Sequence, residues 1–248
     1  MTPLTVIKFG GSLVKDLQIH SKLISEISKI SHKQKVILVH GGGYEINMLL
    51  KKFSITSKFV DGLRFTDLAT LSIVEMALSG KVNRALTTEF IKNGANAVGI
   101  SGKDGKSVIC KQIKHLGYVG KPIKMNKKLI GMLIRMRFMP VIASIASDVN
   151  GNVLNVNADV LASYIAIIFK AYRLIFLTNV PGILDKNGNI IKEINIENID
   201  DMINCGTITG GMLPKIKSSM ESVKNGVSEV WITCGTTGIM EIRGSLIK

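Results

Sequence analysis

Short apolar segments typical of β-strands alternate with longer amphipathic segments along almost the whole chain. LTVIKF is followed by the helix-like LQIHSKLISEISKI, and KVILVH by the helix-like YEINMLLKKF. Similar strand-like segments recur at ANAVGIS, MPVIAS, RLIFLT and EVWIT. Neighbouring parallel strands need long crossover connections, which are usually helices. The alternation therefore predicts an α/β fold: a three-layer αβα sandwich around a central, mostly parallel sheet.

The chain is long enough for two lobes that share one sheet. It has 248 residues, of which 46% are hydrophobic and 20% charged, as in ordinary folded proteins. The segment SDVNGNVLN has an Asn-Gly centre typical of a hairpin turn, and it separates two blocks of βα units. We therefore expect an N-terminal lobe over residues 1–155 and a C-terminal lobe over residues 156–248.

The net charge of +14 raises the alternative of a nucleic-acid-binding protein. The lysines are scattered, with no long run and no interleaved aromatic residues, so nucleic acid is not the expected partner. The most membrane-like stretch, VLASYIAIIFKAYRLIFLTNV, is interrupted by Lys170 and Arg173, which argues against a membrane partner. Three cysteines without metal-ligand spacing, and no visible signal peptide, lead us to expect a reduced, cytoplasmic protein.

Glycine-rich turns follow the first two predicted strands, in IKFGGS and LVHGGG. Glycine lets the backbone approach an anion closely, and the free N–H groups at a helix start favour one. Lys8 stands just before the first of these turns. GISGKDGKS resembles a P-loop, but Ile100 occupies the position that needs glycine. The two early turns together favour a site for an anionic small molecule.

An ordered series of motifs resembles the amino acid kinase family. IKFGGS, VHGGGYEIN, VDGLRFTD, GISGKDG, LGYVG, MPVIASI, NVNAD, LTNVPGILD and GGMLPK occur in the family's order and cover nearly the whole chain. Within the family, the second turn is most similar to that of kinases acting on N-acetyl-L-glutamate. The resemblance implies transfer of the ATP γ-phosphoryl group to the side-chain carboxylate of N-acetyl-L-glutamate. This step of arginine biosynthesis yields N-acetyl-L-glutamyl 5-phosphate.

The resemblance also implies the roles of individual residues. Lys8 and Lys215 match the two catalytic lysines, and Asp159 matches the carboxylate that organises them. The matching substrate-binding residues are Gly42, Gly43, Arg64 and Asn155. The matching nucleotide-binding residues are Gly10, Gly11, Asn179, Val180, Pro181, Gly182, Ile183, Leu184, Thr207, Ile208 and Thr209. Mg²⁺ is expected to arrive with ATP, without a protein metal site, and His40 is expected to pack or hydrogen-bond locally.

The chain departs from the family pattern at three places. Ala146 replaces a common glycine, which would tighten the substrate side, and Asn179 replaces a frequent aspartate. Residues 234–243, after EVWIT, leave room for a loop with one or two helical turns. The first predicted strand begins by about Leu4, so the resemblance implies a homodimer without strong arginine feedback. In that dimer the N-terminal lobe would bind the acceptor and form the interface, and the C-terminal lobe would bind ATP.

Two further interpretations remain open at this point. One is a kinase of the same family acting on carrier-protein-linked aminoadipate or glutamate. The other is an inactive homologue that binds amino acids, against which the presence of Lys8, Lys215 and Asp159 argues.

Overall fold

A computed structural model describes residues 3–14, 20–60, 62–234, 238–239 and 241–248 of the chain. Its strands are β1 (Leu4–Phe9), β2 (Lys35–His40), β3 (Lys58–Val60), β4 (Leu63–Phe65), β5 (Ala97–Ser101), β6 (Val108–Gln112), β7 (Val119–Met125), β8 (Met139–Ala143), β9 (Ile145–Ser147), β10 (Val153–Val156), β11 (Arg173–Leu177), β12 (Glu193–Ile194), β13 (Glu229–Thr233) and β14 (Ser245–Ile247). Its α-helices are α1 (Gly11–Val14), α2 (Ser21–Lys33), α3 (Gly43–Lys52), α4 (Leu68–Glu75), α5 (Asn83–Lys92), α6 (Lys128–Arg135), α7 (Ala158–Ile168), α8 (Ile199–Asn204) and α9 (Leu213–Lys224).

The central sheet has eight strands in the order β12-β14-β13-β11-β1-β2-β8-β5. The six strands from β13 to β5 are parallel, β14 is antiparallel to β13, and β12 is parallel to β14. The prediction of a mostly parallel sheet is confirmed. Strand β1 lies in the middle of this sheet, between β2 and β11.

Successive side chains of β1 and β2 point to opposite faces of the sheet. Val6 and Ile37 join a core with residues of α7 and α9, whereas Ile7 and Leu38 join a core with residues of α2 and α5. Both faces are therefore covered by helices, which explains why the strands read as continuous apolar segments. The predicted three-layer αβα arrangement is confirmed.

Several features of the fold differ from the sequence-based expectation. LATLSIVEMALSG and VNRALTTEFIKNG read from the sequence as two helices, the first ending at Gly80. In the structure they form one run, in which a π-helical turn (Met76–Val82) joins α4 to α5. Asp104 and Gly105 form a 3₁₀ turn between β5 and β6, and not the hairpin turn that their dipeptide suggests. A closed barrel of β10, β7, β6 and β9 and a hairpin of β3 and β4 were not predicted.

Helix α2 begins at Ser21, later than the predicted start at Leu17, which lies outside the described residues. The structure describes the segment after β13 only in part. Its described residues, 238–239 and 241–244, are not helical, and the prediction for residues 235–237 and 240 falls outside the described part of the chain. Among the described residues, no helix is both long and apolar enough to cross a lipid bilayer.

Candidate active site

The glycine-rich turns at the carboxyl ends of neighbouring strands meet in the structure. A Cβ atom added at Gly11 would lie 3.0 Å from the backbone nitrogen of Gly43, in the turn after β2. A Cβ atom at Gly10 would lie 2.6 Å from the carbonyl oxygen of Leu177, at the end of β11. Carboxyl ends of parallel strands are where such sheets bind ligands. Gly10 and Gly11 of the first turn therefore lie too close to backbone atoms of β11 and of the second turn to carry a side chain without a shift of the backbone.

Lys8, Asp159 and Lys215 form a connected ion-pair cluster beside these turns. Lys8 Nζ lies 2.9 Å from Asp159 Oδ1, and Lys215 Nζ lies 3.1 Å from Asp159 Oδ2. Lys8 is 7% exposed and Asp159 6% exposed, and the side chain of Lys215 is 14% exposed. One carboxylate thus separates two ammonium groups in a largely dry environment. The structure brings all three predicted catalytic residues together.

The pKa values of this cluster show how its charges depend on one another. Burial lowers the pKa of Lys8, and the nearby Lys215 ammonium lowers it further, while Asp159 opposes both effects. Burial by itself would raise the pKa of Asp159, but attraction to Lys8 and Lys215 outweighs it and holds this pKa below its usual value. Asp159 is therefore an anion at neutral pH, and it keeps two cations close together.

Helix starts fix the position of the two residues that come from the second half of the chain. Asn157 is the N-cap of α7, and its Oδ1 accepts the N–H groups of Asp159 at 2.8 Å and Val160 at 3.2 Å. Lys215 lies in the first turn of α9, directly after Pro214. Asn157 was not among the predicted site residues. The signal was present, because an asparagine two residues before the carboxylate is a typical helix cap.

A cavity of about 900 Å³ opens beside the cluster and is bordered by both halves of the chain. Asp159 and Asn157 form part of its wall. Its other lining residues come from the β3–β4 hairpin, the residue after β6, β7, α7, the 3₁₀ turn before α9, and α9 itself: Gly62, Leu63, Ile113, Val119, Gly120, Lys121, Val160, Gly210, Gly211, Leu213, Pro214, Lys217, Ser218 and Glu221. Lys121 and Lys217 bring positive charge to this wall, and Asp159 and Glu221 bring negative charge; Asp159 also links the cavity to Lys8 and Lys215, which are not lining residues themselves. The cavity therefore reaches the carboxylate that holds both lysines of the cluster.

Arg64 and Asn155, the predicted acceptor-binding side chains, are linked through Thr66. Asn155 Nδ2 donates to Thr66 Oγ1 at 3.1 Å, and Thr66 Oγ1 donates to the carbonyl oxygen of Arg64 at 3.1 Å. The Arg64 guanidinium donates to Asn47 Oδ1 at 2.7 Å and to Ser57 Oγ. These contacts hold Arg64 in β4, whose neighbours Gly62 and Leu63 line the cavity. Arg64 itself is not among the cavity-lining residues.

The two predicted nucleotide-binding segments lie in the second half of the chain, and Ile183 of one and Ile208 of the other are buried in the same apolar core. Residues 179–184 follow β11, and the Ile183 N–H donates to Ser245 Oγ of β14 at 2.8 Å. Asn179 is exposed at the start of this segment. Thr207 lines a second cavity, of about 430 Å³, with Asp185 and Met202. Ser245, which anchors Ile183, was not predicted, because β14 itself was not.

His40 and Ala146 lie in the interior. His40 is fully buried and makes a local hydrogen bond with Gly41, as expected from the sequence, and a second, long-range one with Asn83. Ala146 is fully buried in β9 with a core that includes Val108 and Leu154, so its methyl group packs within the barrel.

Among the described residues, no three His, Cys, Asp or Glu side chains are grouped so as to hold a metal ion.

Comparison with known proteins agrees with this geometry. The model of the amino acid kinase family matches residues 3–234. The chain is 64% identical to the acetylglutamate kinase of Endomicrobium trichonymphae, with 100% of both chains covered. It is 42% identical to that of Campylobacter curvus, covering 93% of this chain and 83% of the relative. The crystal structure of smu.665 from Streptococcus mutans superposes with a TM-score of 0.91 at 31% identity, covering 100% of this chain and 99% of that one. The chain therefore belongs to the amino acid kinase family.

Proposed function

We propose that the protein transfers the γ-phosphoryl group of ATP to the side-chain carboxylate of N-acetyl-L-glutamate, forming N-acetyl-L-glutamyl 5-phosphate and ADP. The observation that carries this proposal is the cluster of Lys8, Asp159 and Lys215 at the meeting point of the glycine turns. Full-length relatives named acetylglutamate kinase support the choice of acceptor.

The reaction needs charge neutralisation and alignment more than proton transfer. A carboxylate oxygen of the acceptor forms a bond to the γ-phosphorus, and the bond to the bridging β,γ-oxygen breaks, with ADP leaving as an anion. The acceptor is already deprotonated at neutral pH, so no general base is required. Lys8 and Lys215 neutralise charge on the transferring phosphoryl and the leaving phosphate, and Asp159 holds the lysines in register.

Backbone and side-chain donors would hold the two substrates. The N–H groups of Gly10, Gly11, Gly42 and Gly43 face the phosphoryl and the acceptor in this proposal. Arg64 would bind a carboxylate of the acceptor bidentately, with Asn155 contacting its acetylamino group. Residues 179–184 and 207–209 would bind the nucleotide. Mg²⁺ would arrive with ATP, be held mainly by phosphate oxygens and neutralise their charge, because Mg²⁺ usually binds through substrate phosphates.

The two lobes would divide these tasks. Residues 1–155 supply β2, the β3–β4 hairpin and α3, and they would form the acceptor lobe; residues 156–248 would form the nucleotide lobe. We also propose a homodimer through the acceptor lobe. The support is a group of exposed apolar side chains on α3, α4 and the π-helical turn, namely Met48, Phe53, Leu68 and Met76.

A hydroxylamine trap tests the proposed reaction, because acyl phosphates react with it to form hydroxamates. The purified protein is incubated with Mg²⁺, ATP and N-acetyl-L-glutamate, and in parallel with glutamate, aspartate, carbamate or UMP. We expect product with N-acetyl-L-glutamate alone. Lys8→Ala should lower kcat by about 10²-fold or more, as loss of one transition-state donor typically does. Lys92→Ala, an exposed lysine on α5, is the matched control and should retain full activity.

The remaining candidates predict other results in the same assay. Product only with an aminoadipyl or glutamyl carrier protein would replace N-acetyl-L-glutamate by a carrier-linked acceptor. Binding of N-acetyl-L-glutamate, measured by calorimetry, without turnover of any acceptor would identify an inactive binding protein.

A further inference from the structure

A buried polar cluster lies behind the second glycine turn, outside the groups assigned to the reaction. His40 ends β2 and Asn83 begins α5, and both are fully buried. Asn83 Nδ2 lies 3.0 Å from His40 Nε2, 2.8 Å from the Val141 carbonyl oxygen and 3.2 Å from the Ile100 carbonyl oxygen. One amide nitrogen at the start of a helix thus contacts the last residue of β2, the middle residue of β8 and Ile100 near the end of β5.

The hydrogen bonds define the state of the His40 ring. His40 Nδ1 lies 2.9 Å from the carbonyl oxygen of Gly41, which can only accept, so Nδ1 carries the proton. Nε2 then accepts the hydrogen bond from Asn83. Burial lowers the pKa of His40 to about 4, so the ring is neutral under physiological conditions. Its proton holds the carbonyl of Gly41, the first residue of the turn.

The same helical run supports the turn from the side. A Cβ atom at Gly42 would lie 2.7 Å from Leu78 Cδ2 and 3.1 Å from Val82 Cγ2, both in the π-helical turn. The π-helical turn ends at Val82, and α5 begins at the next residue, Asn83. Short π segments within α-helices are frequent at functional sites. Here the wide turn supplies two apolar contacts to Gly42 and sets Asn83 against His40.

We propose that Asn83 and His40 are positioning residues that fix the second glycine turn, so that the N–H groups of Gly42 and Gly43 face the acceptor. This inference rests on the proposed function for its consequence in catalysis. Gly43 begins α3, where backbone N–H groups lack partners within the helix. Asn83 and His40 would not touch the reacting atoms. They would act through the backbone between Gly41 and Gly43.

Steady-state kinetics of Asn83→Leu and His40→Phe test the proposal. We expect each variant to lower kcat by about 10- to 100-fold, since displacement of a catalytic group by about 1 Å costs up to ~10²-fold. The KM for ATP should change by less than about threefold, because the turn lies on the acceptor side. The double variant should be little worse than either single variant, because both remove the same contact.

Thr87→Val is the matched control. Thr87 is buried one turn further along α5, and its hydroxyl has no hydrogen-bond partner among the described residues. It should keep kcat and the KM values of the parent. Unchanged kcat in Asn83→Leu, or multiplying effects in the double variant, would overturn the proposal. An equal loss in Thr87→Val would do the same, because it would show a general packing effect.

Two NMR measurements decide the structural claim without turnover. The ring nitrogen shifts of His40 in the parent protein should report a neutral Nδ1–H tautomer that does not titrate above pH ~5. The backbone amide signals of Gly42 and Gly43 should move in Asn83→Leu and stay in place in Thr87→Val. An Nε2–H tautomer, or unchanged glycine signals, would overturn the inference. A parent protein without kinase activity would refute the proposed function and leave these two outcomes to judge the positioning role.

Discussion

At the scale of single residues, Asp159 holds Lys8 and Lys215 in place through two ion pairs. Each of its carboxylate oxygens faces a different ammonium group. Without it, two cations would share a poorly solvated space, and each would favour loss of the other's proton. The carboxylate therefore has a structural and an electrostatic role, and these two roles can be measured separately.

Asp159→Asn should abolish most activity while keeping the shape of the side chain. We expect kcat to fall by at least about 10²-fold, because the lysines lose their alignment. We also expect the free energy of unfolding to fall by roughly 3 kcal/mol, since a buried ion pair loses one partner. Hydroxamate assays and urea denaturation measure the two effects. Unchanged kcat in a folded variant would contradict the assigned role.

His40 should make folding stability depend on pH in mild acid. Its pKa is about 4 in the folded protein and about 6.5 when unfolded, so the unfolded chain alone takes up a proton between these values. The free energy of unfolding is therefore highest above pH ~6.5 and decreases as the pH falls towards 4. The loss from this residue is roughly 2–3 kcal/mol between pH 7.5 and 4.5. Asp159, with its lowered pKa, stays charged over this window.

Urea denaturation midpoints at a series of pH values, in the parent and in His40→Phe, measure this dependence. The variant should show a flatter profile between pH 4.5 and 7.5, whatever its absolute stability. Parallel profiles for the two proteins would contradict the assignment of this pH dependence to His40.

At the scale of elements, the glycine turns differ in what a side chain would meet. Gly10→Ala would place a methyl group 2.6 Å from the Leu177 carbonyl oxygen, a backbone atom that cannot move aside. Gly43→Ala meets nothing within 4 Å, and alanine favours the start of α3. We expect Gly10→Ala to lower the melting temperature, and Gly43→Ala to leave it unchanged or raise it while reducing kcat/KM for the acceptor. Full activity of Gly43→Ala would show that the acceptor does not approach this turn.

The long apolar strands and amphipathic helices were predictable, since burial on both faces leaves a direct trace in the sequence. Strands of two or three residues, such as β12 and β14, leave no such trace because their pairing depends on distant partners. Gly80 suggested a helix end, yet the π-helical turn runs through it with ordinary helical backbone. The lysines and Asp159 came from the resemblance, and their contact across the sheet could not be derived from spacing. Asn83 was missed because nothing local links it to His40, 43 positions away.

At the scale of the whole molecule, the proposed homodimer would bury a group of exposed apolar side chains. Leu68 is 62% exposed and Met76 51% exposed, and both face away from the apolar cores of the described chain. Removing such side chains from water favours association. A charge placed there should prevent association because the dimer would then bury it.

Met76→Glu should therefore convert the predicted dimer to a monomer, as measured by light scattering. Met132→Glu is the control and should remain dimeric. Met132 is half-exposed on α6, whose buried residues pack in a different core from those of α3 and α4. A monomeric parent protein, or equal masses for the parent and Met76→Glu, would contradict a dimer through this face.

Strand β1 of the first half of the chain pairs directly with β11 of the second half, and this pairing has a practical consequence. The exposed turn at Asn150 and Gly151 lies between β9 and β10, and exposed turns tolerate a break in the chain. A break there would leave Lys8 on one fragment and Asp159 with Lys215 on the other. Neither fragment would contain a complete set of charges, and recovery of activity would require β1 to pair with β11 again. We therefore expect the two fragments to act as a split reporter, in which phosphoryl transfer is detected only when they associate.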